Sequence, residues 1–174
     1  MPEPTERYSP LRDIVETVVF AFIIAMLIRV MIIEPFLVNG PSMQPEFHTG
    51  ERLYLNKAVY HLHPPRRFDV IVFRYPLNPA KDYLKRVIAL PGERVAVKGG
   101  VVYINGQRLE EDHPMVHQNA NFDETTVPPG AIFVLGDNRP NSEDSRIFGF
   151  VPLRNVKGKA FIRFWPLSKL SLIK

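Results

Sequence analysis

The sequence predicts a mainly β protein, in which an antiparallel β-sheet domain follows one N-terminal transmembrane helix. Three observations support this fold class. Residues 14–33 are almost entirely apolar. Beyond Pro35, no stretch keeps the 3.6-residue apolar period of a helix for long, whereas short alternating or β-branched runs recur. The 17 prolines and 10 glycines interrupt helices often and suit many short strands.

Length, charge and cysteine content exclude several protein classes. A chain of 174 residues holds one modest domain plus one extra element. The absence of cysteine excludes disulfides, a thiolate nucleophile and a cysteine zinc site. The formal net charge of +4 is too small to indicate a nucleic-acid partner. We therefore divide the chain into a cytoplasmic tail with a transmembrane anchor, residues 1–34, and a β-rich domain, residues 35–174.

The apolar segment 14–33 has the length of a membrane span. Twenty residues at about 1.5 Å each cover the roughly 30 Å of a bilayer core. Ser9 and Pro10 favour a helix start, and Pro35 disfavours helical geometry at the residue before it, so both ends of the helix are predicted. The residues of the segment that are not apolar are Glu16, Thr17 and Arg29.

A cleavable signal peptide is the alternative interpretation of this segment. The apolar core of such a peptide would be shorter, and no small-x-small cleavage pattern follows before Pro35. We therefore expect a retained anchor. Arg7 and Arg12 precede the segment, whereas residues 34–51 contain no Lys or Arg. This asymmetry predicts a single-pass protein of the cytoplasmic membrane whose β-rich domain lies on the outer face.

Strands and turns are predicted along the rest of the chain. Asn105-Gly106 suits a type I′ turn between two strands. The prolines and polar residues of 112–130 predict an extended loop. Residues 154–174 contain six Lys/Arg and no acids. We favour a core strand with an exposed basic edge for 159–164. For 165–173, where aromatic and apolar residues stand beside cations, we expect contact with membrane lipids. The other predicted strands are 69–73, 95–97, 101–104, 107–109 and 131–135.

Ser42 is a candidate nucleophile in the loop that follows the anchor. Gly40 allows close backbone approach and Pro41 fixes φ, so the Ser42 hydroxyl can be held rigidly. A loop serine is more often a turn or cap residue, and a nucleophilic one needs a base.

The five histidines are the first residues to consider as that base. None stands in a recognisable triad motif, although spacing leaves a triad in space open. The pairs His61/His63 and His113/His117 could face one way on a strand or a helix, but they lack ligand carboxylates at matching spacing. We expect surface histidines, no metal site and no cofactor.

Lys85 is the alternative base. On a strand it shares a face with Tyr83, Val87 and Ala89, and that face is otherwise largely apolar. A strand lysine is usually solvated, but burial would penalise the ammonium and lower its pKa. With an ordinary pKa of about 10.4, only about one lysine in a few thousand is neutral at pH 7.

A dense polar block, residues 136–146, directly follows the predicted strand 131–135. Such density usually indicates a solvated loop. Here its arginines and aspartates stand close enough in sequence to pair, and Ser142 or Ser145 could orient a neutral lysine by hydrogen bonding without adding charge.

Together these blocks resemble the bacterial type I signal peptidases in order and spacing. The resemblance runs from the anchor to about Trp165. It implies an antiparallel β-sheet catalytic domain and a membrane-bound serine endopeptidase that removes signal peptides from exported preproteins after a small-x-small motif. By position, the implied Ser/Lys dyad is Ser42 and Lys85. The matching blocks are Glu34-Pro35-Phe36, Gly40-Pro41-Ser42-Met43-Gln44-Pro45, Lys85-Arg86-Val87-Ile88 with Pro91-Gly92, and Gly136-Asp137-Asn138-Arg139 with Asp144-Ser145-Arg146.

The resemblance also implies roles for neighbouring residues. Ser142 would help orient the lysine. Gly40 stands where many relatives have an oxyanion-hole serine, so the backbone N–H groups of Gly40 and Ser42 would serve instead. Glu46 departs from the threonine common in relatives. Structural ion pairs would come from Asp137, Arg86, Asp144 and Arg146, and the substrate pockets from Phe36, Val38, Met43 and Leu84.

The expected partners are preprotein signal peptides and membrane lipids, with no nucleic acid and a monomeric state. Two alternatives stay open. One is a Ser/Lys peptidase that cleaves itself or a single partner. The other is a catalytically inactive anchored β-domain whose polar blocks only hold loops together.

Overall fold

The computed structural model describes residues 10–173, and within α1 it describes the side chains of 11–26 and of Ile32. The helices are α1 (Pro10–Ile32), α2 (Val59–Leu62) and α3 (Ser145–Phe148), and short 3₁₀ turns occupy Arg139–Asn141, Leu153–Asn155 and Leu167–Lys169. The strands are β1 (Ile33–Leu37), β2 (Arg52–Asn56), β3 (Val70–Arg74), β4 (Asp82–Ala89), β5 (Arg94–Lys98), β6 (Val101–Ile104), β7 (Gln107–Arg108), β8 (Phe122–Thr126), β9 (Ala131–Leu135), β10 (Val151–Pro152), β11 (Val156–Trp165) and β12 (Ser171–Leu172).

The N-terminal helix α1 leads directly into the first strand. It ends at Ile32, one residue before the end of the apolar segment 14–33, because Ile33 already pairs with Asn56 of β2. Pro35 lies within β1, which the sheet tolerates because β1 is its terminal strand. Ser9, the predicted cap, lies outside the described residues. Within the described part of the chain, no helix combines the length and the hydropathy that crossing a bilayer requires.

The larger sheet confirms the mainly β, antiparallel prediction. It has eight strands in the order β1-β2-β11-β3-β4-β9-β10, with β12 paired to β11. The predicted strands 69–73, 131–135 and 159–164 correspond to β3, β9 and part of β11. The strand β3 is buried along four of its five residues, which explains its continuous apolar run. Because β4 lies between β3 and β9, it is held rigidly near the middle of the sheet.

The smaller sheet has the order β7-β6-β5-β8. It contains the predicted strands 95–97, 101–104 and 107–109 as β5, β6 and β7. Asn105 and Gly106 both have positive φ, as a type I′ turn requires. The prediction of a loop over 112–130 was wrong at β8, which pairs with β5. The side chains of β8 are mostly polar and exposed, so its sequence carries no apolar alternation, and backbone hydrogen bonds alone define it as a strand.

The C-terminal segment divides between core and surface. Ile173 is buried in the core cluster that also contains Val38, Met43 and Leu84, so the prediction of lipid contact for 165–173 was wrong at this residue. Its backbone N–H donates to the Phe161 carbonyl, which fixes the segment against β11. The large apolar side chains that remain exposed are Trp165, Leu167, Leu170 and Leu172.

Candidate active site

The two residues predicted as a dyad lie in direct contact. Lys85 Nζ is 2.8 Å from Ser42 Oγ and 3.1 Å from the Leu84 carbonyl oxygen. The two side chains come from different elements, because Lys85 projects from β4 and Ser42 from the loop between β1 and β2. A hydroxyl and an amine at this distance are in position for proton transfer.

The Ser42 loop is fixed by the polar block that follows β9. Asn138 is buried, and its backbone N–H donates to the Ser42 carbonyl at 3.0 Å while its Nδ2 donates to the Pro41 carbonyl at 3.1 Å. Gly136 permits this close approach, because a Cβ there would lie 2.2 Å from Ser142 Oγ and 2.5 Å from the Ser42 carbonyl oxygen. On its other side the loop is anchored by Met43, whose side chain is buried in the core.

The environment of Lys85 favours the neutral amine. The residue is 3% exposed, and burial lowers the pKa of Lys85 to about 8, although the charges of Asp144, Glu143 and Asp137 oppose the shift. With a pKa of about 8, about one amine in ten is neutral at pH 7, compared with about one in a few thousand for an unperturbed lysine. Lys85 is therefore able to accept a proton near neutral pH.

Two buried ion pairs support the walls of the site. Arg86 Nε and Nη2 donate to the two carboxylate oxygens of Asp137 at 2.9 and 2.7 Å. Arg146 binds Asp144 through two bonds of 2.8 Å, and Asp144 also accepts from the Gly136 N–H at 3.1 Å. Bidentate pairs of this kind fix orientation as well as charge. The residues predicted as structural ion pairs are thus brought together in two matched pairs.

A cleft of about 540 Å³ opens over Ser42 and Lys85. All four residues predicted to form substrate pockets line it: Phe36, Val38, Met43 and Leu84. Two strand edges border it. One is β1, the terminal strand of the sheet. The other is the first half of β4, which pairs with β3 alone because the pairing with β9 begins at Arg86. An extended peptide can add to such edges by backbone hydrogen bonds.

Comparison with known proteins identifies the family. The family model described as signal peptidase, peptidase S26, matches residues 11–165. This chain belongs to that signal peptidase family. It is 41% identical to a signal peptidase I of Leptolyngbya laminosa over 93% of this chain and 83% of that protein. It is also 39% identical to a probable signal peptidase I-1 of Synechocystis sp., over 91% and 85%, and 40% identical to a signal peptidase I of Bacillus caldolyticus, over 83% and 86%.

Two of the predicted site residues of this signal peptidase differ in their hydrogen bonding from what the family resemblance implies. Ser142 Oγ is buried without a hydrogen-bond partner in the described part of the chain, so it makes no bond to Lys85 in this structure. Gly40 has a φ of 93°, and its N–H donates to Thr49 Oγ1 at 3.1 Å. The Gly40 amide would have to exchange that bond in order to bind an oxyanion.

The histidines follow the surface prediction with one exception. His113 has a side chain only 7% exposed, with Nε2 3.5 Å from Asp137 Oδ1. Burial and the nearby charges of Arg86 and Arg139 lower the pKa of His113 to about 3, so the ring is neutral. The prediction of a surface histidine was wrong here because the His113 ring packs against the Phe68 ring, beside the buried Asp137. Among residues 10–173, no three His, Asp or Glu side chains are arranged to hold a metal ion.

Sequence reasoning missed several residues of this signal peptidase site. Glu46 Oε2 is 2.6 Å from Arg86 Nη2, and Glu143 accepts hydrogen bonds from the hydroxyls of Tyr75 and Tyr83. These contacts join residues separated by 40, 68 and 60 positions. No local period or motif indicates pairing at such separations. The departure of Glu46 from the family's usual threonine was the one available signal.

Proposed function

We propose that this chain is a membrane-bound serine endopeptidase that removes signal peptides from exported preproteins after a small-x-small motif, with Ser42 as nucleophile and Lys85 as base. The observation that carries the proposal is the 2.8 Å contact between Lys85 Nζ and Ser42 Oγ at a buried position beside an open cleft. Membership of the signal peptidase family supports the same reaction.

The reaction follows from this geometry. Neutral Lys85 accepts the proton of Ser42 as Oγ attacks the scissile carbonyl carbon. The C–N bond then breaks, and Lys85 passes the proton to the leaving amine. A water molecule, deprotonated by Lys85, attacks the acyl-enzyme and releases Ser42. Backbone N–H donors near Ser42 would stabilise the oxyanion, and Ser142 would help orient the amine.

The shape of the cleft supports a preference for small side chains. Val38, Met43 and Leu84 line the cleft and are 3%, 1% and 6% exposed, so they offer apolar surface of the kind that the family resemblance assigns to pockets for small side chains. The substrate would lie extended between the edges of β1 and β4. Alternate side chains of an extended peptide point the same way, which suits a small-x-small motif.

We further propose that residues 1–34 anchor the chain in the cytoplasmic membrane and that residues 35–174 form the catalytic domain on its outer face, as a monomer. The support is the apolar segment 14–33 and the exposure of its described apolar side chains, such as Phe20 and Phe22 at 65% and 62%. The exposed side chains of Trp165, Leu167 and Leu170 would contact lipid at the interface.

The direct test is cleavage of a labelled preprotein with an Ala-x-Ala site by membranes that contain the full chain, washed at alkaline pH to remove peripheral proteins. We expect cleavage in the washed membranes, unaffected by EDTA, and a loss of at least about 10³-fold in kcat/KM for Ser42→Ala. Ser168→Ala is the matched control, since Ser168 is an exposed serine in the 3₁₀ turn Leu167–Lys169 and does not line the cleft.

Other outcomes would contradict the proposal in distinct ways. Substantial cleavage by Ser42→Ala would refute the nucleophile. Cleavage of the chain itself without cleavage of the added preprotein would indicate a self-cleaving peptidase. Failure of a serine-reactive acylating probe to label Ser42 in the folded protein would indicate an inactive anchored domain.

A further inference from the structure

Glu143 lies on the rim of the cleft and is held in one orientation by two tyrosines. The Tyr75 hydroxyl donates to Glu143 Oε1 at 2.6 Å, and the Tyr83 hydroxyl donates to Oε2 at 2.8 Å. The two tyrosine rings are stacked, with centroids 4.5 Å apart and planes 10° from parallel. A carboxylate on an exposed loop is thereby fixed by two other parts of the chain, since Tyr75 follows β3 and Tyr83 lies on β4.

Tyr83 connects Glu143 to the dyad, because it contacts both Glu143 and Lys85. Tyr83 and Lys85 are two positions apart on β4 and share its face, and Lys85 Nζ lies 5.0 Å from the centroid of the Tyr83 ring. A cation over an aromatic face is attracted to it. Burial, followed by the hydrogen bond to Glu143, raises the pKa of Tyr83 to about 12, so its hydroxyl remains a donor at any working pH. Glu143 therefore fixes the ring that forms one wall of the Lys85 site.

The charges of three carboxylates act on Lys85, and Glu143 differs from the other two because no ion pair that the structure describes offsets its charge. Asp137 is paired with Arg86 and Asp144 with Arg146, so an adjacent guanidinium offsets each charge. The partners of Glu143 are neutral hydroxyls, and within the described residues no cation comes close enough to form an ion pair with it. Lys81, whose charge acts on Glu143 from a greater distance, lines the same cleft. Glu143 thus presents a carboxylate charge to Lys85 that no adjacent cation cancels.

We propose that Glu143 is a positioning residue that holds the Tyr83 ring against Lys85 and, through its uncompensated charge, sets the pH above which the dyad works. The inference rests on the proposed role of Lys85 as base. A nearby negative charge favours the ammonium form, so it acts against burial. Glu143 therefore keeps the amine protonated to a higher pH than burial alone would.

The test is the pH profile of kcat/KM for Glu143→Gln, which keeps the shape of the side chain and removes its charge. We expect the acidic limb to move to lower pH by about half a unit, so that the variant is about threefold more active than the parent on that limb. The matched control is Glu124→Gln, the same substitution at an exposed carboxylate of the smaller sheet. Glu124 is paired with Arg94 at 3.4 Å and does not line the cleft, so its neutralisation should leave the limb in place.

A second measurement does not depend on cleavage. The Lys85 Cε–Hε resonance is titrated by NMR in Ser42→Ala and in Ser42→Ala/Glu143→Gln, with the expected fall in midpoint of about half a unit in the second. An unmoved midpoint, or an equal shift with Glu124→Gln, would overturn the inference. If the parent protein cleaves no preprotein, the proposed function fails, and this titration still decides whether Glu143 acts on Lys85.

Discussion

Replacing Lys85 with methionine is expected to reduce kcat/KM for preprotein cleavage by at least about 10³-fold, because it removes the base and leaves Ser42 as an ordinary hydroxyl. Methionine retains most of the apolar stem of lysine, so the buried position remains filled. Lys85→Arg should fail equally, since a guanidinium stays protonated at any working pH. The measurement is the rate of preprotein cleavage at several pH values, with thermal unfolding to show that each variant is folded.

The matched control for this prediction is Lys98→Met. Lys98 is an exposed lysine at the end of β5 in the smaller sheet, and it contacts the ring of Tyr103 rather than a hydroxyl. Its removal makes the same change in net charge without touching the dyad. Residual cleavage above about one per cent of the parent rate in folded Lys85→Met would exclude the amine as the essential base.

Replacing Arg86 with methionine is expected to reduce the free energy of unfolding by about 3–5 kcal/mol, the usual cost of removing one partner of a buried ion pair. The side chain of Asp137 is 1% exposed and burial raises its pKa, so without Arg86 the carboxyl either stays as a buried charge with no cation at bonding distance or takes up a proton, and both outcomes cost stability. Glu46, the second carboxylate on Arg86, adds like-charge repulsion. Urea unfolding of the parent and the variant measures the difference.

Two further variants make this result specific. Arg94→Met removes an exposed arginine whose ion pair with Glu124 spans 3.4 Å, and it should cost less than about 1 kcal/mol. Arg86→Met combined with Asp137→Leu removes the fully buried pair, and it should recover much of the loss because the Glu46 carboxylate that remains is partly exposed to solvent. A loss for Arg86→Met no larger than that for Arg94→Met would show that the buried pair is not what stabilises the site.

The fold class was predictable because about half of the strands carry their own signal. The strands β3 and β9 are continuous apolar runs, and the Asn105-Gly106 turn specifies its hairpin locally. The strand β8 was missed because its side chains are exposed and polar. The helix α1 ends before Pro35, as the sequence predicts, and pairing of β1 with β2 places its last residue at Ile32.

The site was predictable only in part. The residues pointed to Ser42 and Lys85 as candidates, but their pairing across 43 positions came from the family resemblance and not from spacing. The tyrosines that hold Glu143 and the contact of Glu46 with Arg86 depend on how the loops meet in space. Sequence patterns describe single elements, so contacts of this kind become visible only once the strands are placed.

The measurement that tests the account most directly is an NMR titration of the Lys85 side chain in the folded Ser42→Ala protein. Because burial at this position lowers the pKa of Lys85, the amine should lose its proton with a midpoint near pH 8. A midpoint above about pH 10, the range of an ordinary solvated lysine, would contradict the claim that Lys85 is the base.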